Sequence, residues 1–177
     1  MLIVPQDVKQ WLHLEERIVP VRAEWLLKAL WETAGELETA LTNVRVDATV
    51  EHPVSGEYSV VELAGRVRDY ELVTGAHLER LAFFGASTLP RHDLEWLEPD
   101  RDYESMGVDQ LAFDFVRLRR RTCGLLWDLS PSEWARRAAH PFLGEVSVER
   151  LAVSLHEHDI DALWRVSVVT KALLTSR

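Results

Sequence analysis

Apolar residues recur at alternating spacings of three and four in four long segments, which is the pattern of a helix with one buried face. The first segment covers about 21–41 and follows Pro20, a residue that favours a helix start. The second begins at Ser59, whose spacing to Glu62 predicts a capping box, and ends near Gly85. The apolar stripes of these two segments are Leu26, Leu30, Ala34, Leu37 and Leu41, and Val60, Leu63, Val67, Tyr70, Thr74, Leu78 and Leu81.

The third segment starts at Gly107 or Asp109 and stops before Pro131, and the fourth starts near Ser147. No strand-like alternation competes with the four segments, so the sequence predicts an all-α fold. Amphipathic helices that cannot bury their faces alone most economically form a four-helix bundle. The last two stripes are Leu111, Phe115, Leu118, Thr122, Leu125 and Leu129, and Val148, Leu151, Leu155, His158, Ala162, Val166, Val169 and Leu173.

Two connections, 43–58 and 86–107, are longer than neighbouring helices of a bundle need. We therefore expect at least one of them to cross over the bundle, and Trp96 and Tyr103 in the second to pack back onto it. Residues 1–17 are predicted to form a short accessory helix. All 177 residues are predicted to form one domain, with the bundle over 20–173.

Composition excludes several classes of function. The net charge is −9, from 29 acidic and 20 basic residues, and it would repel the phosphates of a nucleic acid. The single cysteine, Cys123, excludes an internal disulfide and a cysteine-built metal cluster. No targeting signal or membrane-length apolar run occurs, so we predict a cytoplasmic protein with neither a nucleic acid nor a membrane as partner.

The main chemical signal is the sequence LHEHDIDALWRV at 155–166. His158 lies on the apolar stripe and should point into the bundle, whereas His156 is rotated by about 200° and cannot share its metal on a regular helix. Asp161 is the one possible second ligand at a spacing of three or four. His158 is therefore a hydrogen-bonded core histidine, a metal ligand, or an acid or base.

Other residues with reactive or charged side chains have a simpler interpretation. Cys123 is expected to be a small buried residue, and His140 to have a turn or capping role. The tryptophans at 25, 31, 127 and 164 are expected to pack in the core, with a dimer seam or a pocket wall as the alternative. Four arginines are expected to form a solvated face paired with acids, or else a clamp for an anion or a thiol carboxylate: Arg117, Arg119, Arg120 and Arg121.

Three stretches together resemble the DinB/YfiT-like superfamily. Tyr58–Glu71, YSVVELAGRVRDYE, is similar to the signature of its second helix, and His158–Val166, HDIDALWRV, is similar to the signature of its last helix. Between them, Asp128–Trp134 and His140–Gly144 resemble the segment that joins helices three and four. The resemblance covers residues from about 20 to 173.

The resemblance implies a four-helix bundle of up-down-down-up topology and a homodimer. It also implies a divalent metal bound by three histidines between helices two and four, a thiol S-transferase activity with low-molecular-weight thiols, and a link to the stress response. The three histidine positions fall here on Arg66, His158 and Ala162, so one ligand of three is kept. We therefore expect no cofactor, or at most a weakly bound zinc or nickel ion.

The loss of two histidines leads to a hypothesis about Arg66. Its guanidinium would take the place and charge of the metal, held by Asp69 or Asp161, with Tyr70 and His158 beside it. The alternative is an arginine that reaches water from the flank of the stripe.

Three functions remain open. The favoured one is a DinB-like protein of unknown specific activity, metal-free, with a pocket for a small molecule, suited to an anion or a low-molecular-weight thiol, between helices two and four. The second is a divalent-metal-dependent thiol S-transferase-like enzyme that uses His158 with further ligands. The third is a non-catalytic, stress-associated structural or interaction protein.

Overall fold

The computed structural model describes residues 21–91 and 102–175. The predicted accessory helix at 1–17 and the predicted packing of Trp96 lie outside them. The elements are α1 (Val21–Thr42), α2 (Val60–Ala82), α3 (Tyr103–Met106), α4 (Val108–Trp127), α5 (Pro131–Trp134), β1 (Arg137–His140), β2 (Gly144–Ser147) and α6 (Val148–Thr175).

The four long helices lie where the apolar periodicity predicts them. α2 begins with the predicted capping box, in which the Ser59 side chain accepts from the amide of Glu62 and the Glu62 carboxylate accepts from the amide of Ser59. The Ser147 hydroxyl accepts from the amide of Arg150 at the start of α6. α2 and α4 end a few residues before the positions that the sequence predicted, at Ala82 and Trp127.

The long helices form a bundle in which consecutive helices are not always neighbours. α1 packs against α4 and α6, and α2 packs against the same two helices. α1 and α2 touch only slightly, so they lie on one diagonal of the bundle, and α4 and α6 lie on the other. The connection between α1 and α2, which contains a short 3-10 turn at Val46–Ala48, therefore crosses the bundle end.

The direction of each helix follows from the residues that meet at the two ends of the core. One apolar cluster joins Leu41 of α1 and Leu173 of α6, both near the helix C-termini, to Val60 of α2 and Val108 of α4, both at the N-termini. A second cluster joins the opposite ends of the same helices. α1 and α6 thus run one way, and α2 and α4 run the other way.

The apolar stripe of α4 differs from the predicted one. Leu118 and Leu125 are only partly buried, whereas Arg119, Cys123 and Leu126 are buried. The stripe of α4 that faces the core is therefore rotated by about one residue relative to the predicted stripe. The prediction used apolar residues alone, so it left out Arg119, which occupies a core position.

A small hairpin lies between α5 and α6, which the all-α prediction did not contain. β1 pairs with β2 in antiparallel register, Arg137 with Ser147 and His140 with Gly144. The chain after α2 pairs with β1 through two backbone hydrogen bonds: the Leu89 amide donates to the Ala139 carbonyl, and the Ala139 amide donates to the Ser87 carbonyl. Strands of four residues are too short to produce a detectable alternation, which is why the sequence did not predict them.

α3 attaches the second connection to the bundle, as expected for Tyr103. The ring of Tyr103 is buried against Gly65 of α2, where a Cβ would overlap it. The Tyr103 hydroxyl donates to the Asp69 carboxylate at 2.7 Å. Within the described residues, no helix is long and apolar enough to cross a membrane.

Candidate functional site

The structure brings Tyr70 of α2 and His158 of α6 into direct contact. Their rings are parallel, with 4.0 Å between centroids and 5° between planes. Because α2 and α6 are neighbours, the two predicted site residues meet at the contact between these helices. The region of this contact that contains Arg66, Tyr70 and His158 is called the α2–α6 cleft below.

His158 is a neutral imidazole in this setting. Its pKa is lowered from 6.5 to about 4, chiefly by burial and in smaller part by the positive charges of Arg66 and Arg119, against the opposing effect of Asp159 and Asp161. A neutral imidazole keeps one nitrogen that can donate and one that can accept a hydrogen bond.

Arg66 lies in the same cleft, close enough for its charge to act on His158. Its guanidinium carbon is 4.2 Å from the centroid of the Tyr58 ring, a cation–π contact that orients the guanidinium plane. The side chain is partly buried rather than fully solvated.

The two predicted acidic partners of Arg66 have other contacts. Asp69 is buried and accepts from the Tyr103 hydroxyl, and its Oδ1 pairs with Arg68 Nε at 3.0 Å. Asp161 is exposed and accepts from Arg165 Nε at 2.8 Å, one turn further along α6. Asp69 thus fixes α3 to the bundle, and Asp161 lies at the rim of the cleft.

The donor set of the α2–α6 cleft does not fit the metal that the resemblance implies. His158 is the one imidazole at the three positions, the guanidinium of Arg66 repels a dication, and Ala162 is buried in the core with Val67 and Phe115. Across the described residues, no group of three or more His, Cys, Asp or Glu side chains could hold a metal ion.

The most buried polar groups lie deeper, at Arg119. Its Nη1 donates to Asp159 Oδ2 at 2.7 Å and to the carbonyl of Leu30 at 2.8 Å, and its Nη2 donates to Asp159 Oδ1 at 3.0 Å. Its Nε donates to Glu71 Oε2 at 2.9 Å, and the Thr33 hydroxyl donates to Asp159 Oδ2. All four long helices therefore meet at one guanidinium.

This cluster corrects the expectation that Arg119 belongs to a solvated face. The expectation fits Arg117 and Arg121, which are exposed and pair with Asp114 and Glu79. The sequence does contain a signal for the cluster, because its charged residues have the spacing of core positions on a helix. Each of them follows an apolar core residue by four positions and precedes another core residue by three. These runs are Val67, Glu71, Thr74; Phe115, Arg119, Thr122; and Leu155, Asp159, Ala162.

Cys123 and His140 both have the structural surroundings that the sequence predicts for them. Cys123 is buried, as predicted, and His140 Nδ1 accepts from the amides of Phe142 and Leu143 in the hairpin turn, as predicted. His77 is buried with its ring edge-on to His140, at 5.4 Å between centroids.

Of the four tryptophans expected in the core, Trp127 is buried and Trp31 is partly buried. Trp25 and Trp164 are exposed, contrary to the expectation.

Comparison with known proteins supports the fold. No protein-family model and no curated protein matches the chain. A solved structure does match, that of YfiT from Bacillus subtilis, described as "a probable metal-dependent hydrolase with an unusual four-helix bundle topology". The TM-score is 0.78 at 13% sequence identity, over 90% of this chain and 92% of that one.

The likeness to YfiT confirms the predicted fold class, an all-α four-helix bundle like that of YfiT. At 13% identity it establishes the fold, and the hydrolase description belongs to YfiT.

Proposed function

We propose that the protein binds a small organic anion in the α2–α6 cleft without a metal. The observation that carries the proposal is the guanidinium of Arg66, which stacks on the Tyr58 ring at a position where the resemblance implies a metal ligand, and whose charge acts on His158. A fixed guanidinium there supplies the positive charge that a dication would otherwise supply.

The chemistry of the cleft suits a carboxylate. A guanidinium binds a carboxylate through two parallel N–H···O bonds, and a neutral imidazole can donate a third. The rings of Tyr58 and Tyr70 provide flat apolar surface beside these groups. A few polar groups among aromatic walls are typical of small-molecule sites.

The likeness to YfiT, described as a probable metal-dependent hydrolase, supports a metal-dependent hydrolase as an alternative. The resemblance of the sequence implies a further metal-dependent alternative, a thiol S-transferase-like enzyme. Either function needs at least three ligands with one coordination position left open, whereas the cleft supplies one imidazole and a repelling cation. A purely structural role would leave the cleft without any ligand, which the following experiment also tests.

The test is isothermal titration calorimetry of the full chain with benzoate, succinate and a low-molecular-weight thiol carboxylate, beside benzamide as the neutral analogue of benzoate. We expect at least one carboxylate to bind saturably and benzamide to bind much more weakly. Arg66→Ala should abolish binding and Arg66→Lys should weaken it, because an ammonium cannot form the bidentate pair.

Arg117→Ala is the matched control, since Arg117 is an exposed arginine on α4 whose side chain is 70% accessible. It should bind as the wild type does. Absence of binding for every anion, or equal binding by the wild type and Arg66→Ala, would refute the proposal.

A further inference from the structure

A groove between α2 and α4 lies against the buried Arg119 cluster. Its cavity volume is about 70 Å³, and its mouth is open to solvent. Leu118 and Leu125, the two residues that the rotation of α4 leaves partly exposed, line it together with Gly75 and Ala76. Glu71 borders the same groove. This space is called the α2–α4 groove below.

Glu71 has one occupied and one unoccupied carboxylate oxygen. Its Oε2 takes both contacts from Arg119, at 2.9 Å from Nε and 2.8 Å from Nη2. Its Oε1 is buried and has no hydrogen-bond partner among the described residues. The side chain as a whole is 0% exposed. Buried carboxylate oxygens without a donor are costly, so an unmet acceptor here points to a missing donor.

The charge of the cluster leads to the same conclusion. Arg119 contributes one positive charge, whereas Glu71 and Asp159 contribute two negative charges, so these three groups sum to −1. Both oxygens of Asp159 are satisfied, by Arg119 and by the Thr33 hydroxyl. The uncompensated charge and the unmet acceptor therefore coincide at Glu71, the member of the cluster that borders the groove.

We propose that the α2–α4 groove binds a small organic ammonium ion, which donates an N–H to Glu71 Oε1. The alkyl part of the ligand would contact Leu118, Leu125 and Ala76, and Gly75 has no side chain to block the approach. At the mouth, Glu79 and Arg121 pair with each other at 2.8 Å, so the rim does not repel a cation.

The test uses the full chain and n-butylammonium at neutral pH, followed by calorimetry or by NMR of the protein amides. 1-Butanol and butyrate are the neutral and anionic analogues of the same size. Saturable binding of n-butylammonium is expected, with at least about tenfold weaker binding of 1-butanol and none of butyrate, because a charge-assisted hydrogen bond is lost in each case.

Two variants locate the site. Glu71→Gln keeps the shape of the side chain and removes its charge, and Ala76→Phe fills the groove and leaves the charges in place. Both should lose binding of n-butylammonium by about tenfold or more. Glu36→Gln, which removes an exposed acid of α1, and Arg66→Ala, in the other cleft, should bind as the wild type does.

No saturable binding of n-butylammonium to the wild type, or binding of 1-butanol with equal affinity, would overturn the proposal. Binding of n-butylammonium to Ala76→Phe as strong as to the wild type would also overturn the proposal. If Glu71→Gln does not fold, the result for Ala76→Phe tests the location of the site. Because Arg66 is not involved, failure here leaves the anion site of the α2–α6 cleft untouched, and the converse also holds.

Discussion

Arg119 and Asp159 form a bidentate ion pair across the diagonal of the bundle, with Nη1–Oδ2 at 2.7 Å and Nη2–Oδ1 at 3.0 Å. The two residues belong to α4 and α6, which do not pack side by side. Their side chains are 1% and 2% exposed. The pair therefore passes through the centre of the core, where Arg119 also binds Glu71 of α2 and the Leu30 carbonyl of α1.

Removal of Arg119 should strongly destabilise the fold. Arg119→Met keeps much of the side-chain volume but leaves two buried carboxylates without a counter-charge, which should lower the free energy of unfolding by about 3–5 kcal/mol. Urea denaturation measures this difference. Arg117→Met, at an exposed position on the same helix, should change the free energy of unfolding by less than about 1 kcal/mol.

A triple variant separates charge from packing in this cluster. Glu71→Gln and Asp159→Asn, added to Arg119→Met, should recover a large part of the lost stability, since no net charge is then left in the core. A loss below about 1 kcal/mol in Arg119→Met alone would contradict the assigned role of Arg119.

Two glycine substitutions should have opposite effects. In Gly65→Ala the new methyl group overlaps the Tyr103 ring, so Tyr103 must move and its hydrogen bond to Asp69 is lost. We expect a loss of about 1–3 kcal/mol in the free energy of unfolding. Gly35→Ala, in an exposed part of α1 with nothing within 4 Å, should stabilise by about 0.5–1 kcal/mol.

Thermal denaturation of the two variants beside the wild type makes this comparison directly. If both variants gained stability to the same degree, Tyr103 would not be packed on Gly65.

His158 should make stability depend on pH. Its pKa in the folded protein, about 4, is below the ordinary 6.5. As the pH falls below 6.5, the imidazole of the unfolded chain is therefore protonated first, and that of the folded chain is protonated only near pH 4. Stability is therefore lost as the pH falls from about 6.5 to about 4. The expected loss from this group at pH 4.5 is about 2 kcal/mol relative to pH 7.

His158→Phe keeps a ring against Tyr70 and removes the titrating group. The difference in unfolding free energy between this variant and the wild type isolates the imidazole from the carboxylates that titrate in the same range. Parallel pH profiles of the two proteins would mean that His158 is solvated and titrates normally.

Cys123 should be chemically inert in the folded protein. Burial raises the pKa of its thiol to about 12, with Glu71 and Asp159 adding to the effect and Arg119 opposing it. Iodoacetamide at pH 8 should label the native chain only at the rate of unfolding, and should label it at once in urea, as followed by mass spectrometry. Fast labelling of the native chain would place the thiol at the surface.

The sequence is sufficient to predict the bundle because helix periodicity is a repeated signal. Each long helix carries at least five stripe positions, and a wrong assignment at Leu118 or Leu125 does not change the helix. The capping box at Ser59 and Glu62 is predictable for a different reason, since it is a local arrangement within one turn. The hairpin at 137–147 could not be predicted in either way. Each of its strands has four residues, which is too short for a repeated alternation of apolar and polar positions.

The site is less predictable, because side-chain contacts depend on the packing of helices distant in sequence. The facing of Tyr70 and His158 follows from the two stripes, but the Arg119 cluster joins three charged residues from three different helices. A charged residue at a core spacing resembles a surface residue until its counter-charges on other helices are known. The homodimer, the single domain and the cytoplasmic location stay predictions.

In the function proposed above, the α2–α6 cleft uses the guanidinium of Arg66 in place of a metal. The most direct measurement is a calorimetric titration of the full chain, freed of metal with a chelator, with zinc and with nickel at neutral pH. We expect no binding in the micromolar range, because a single imidazole with the charge of Arg66 acting on it cannot hold a dication. One tightly bound ion per chain, lost in His158→Phe, would contradict it.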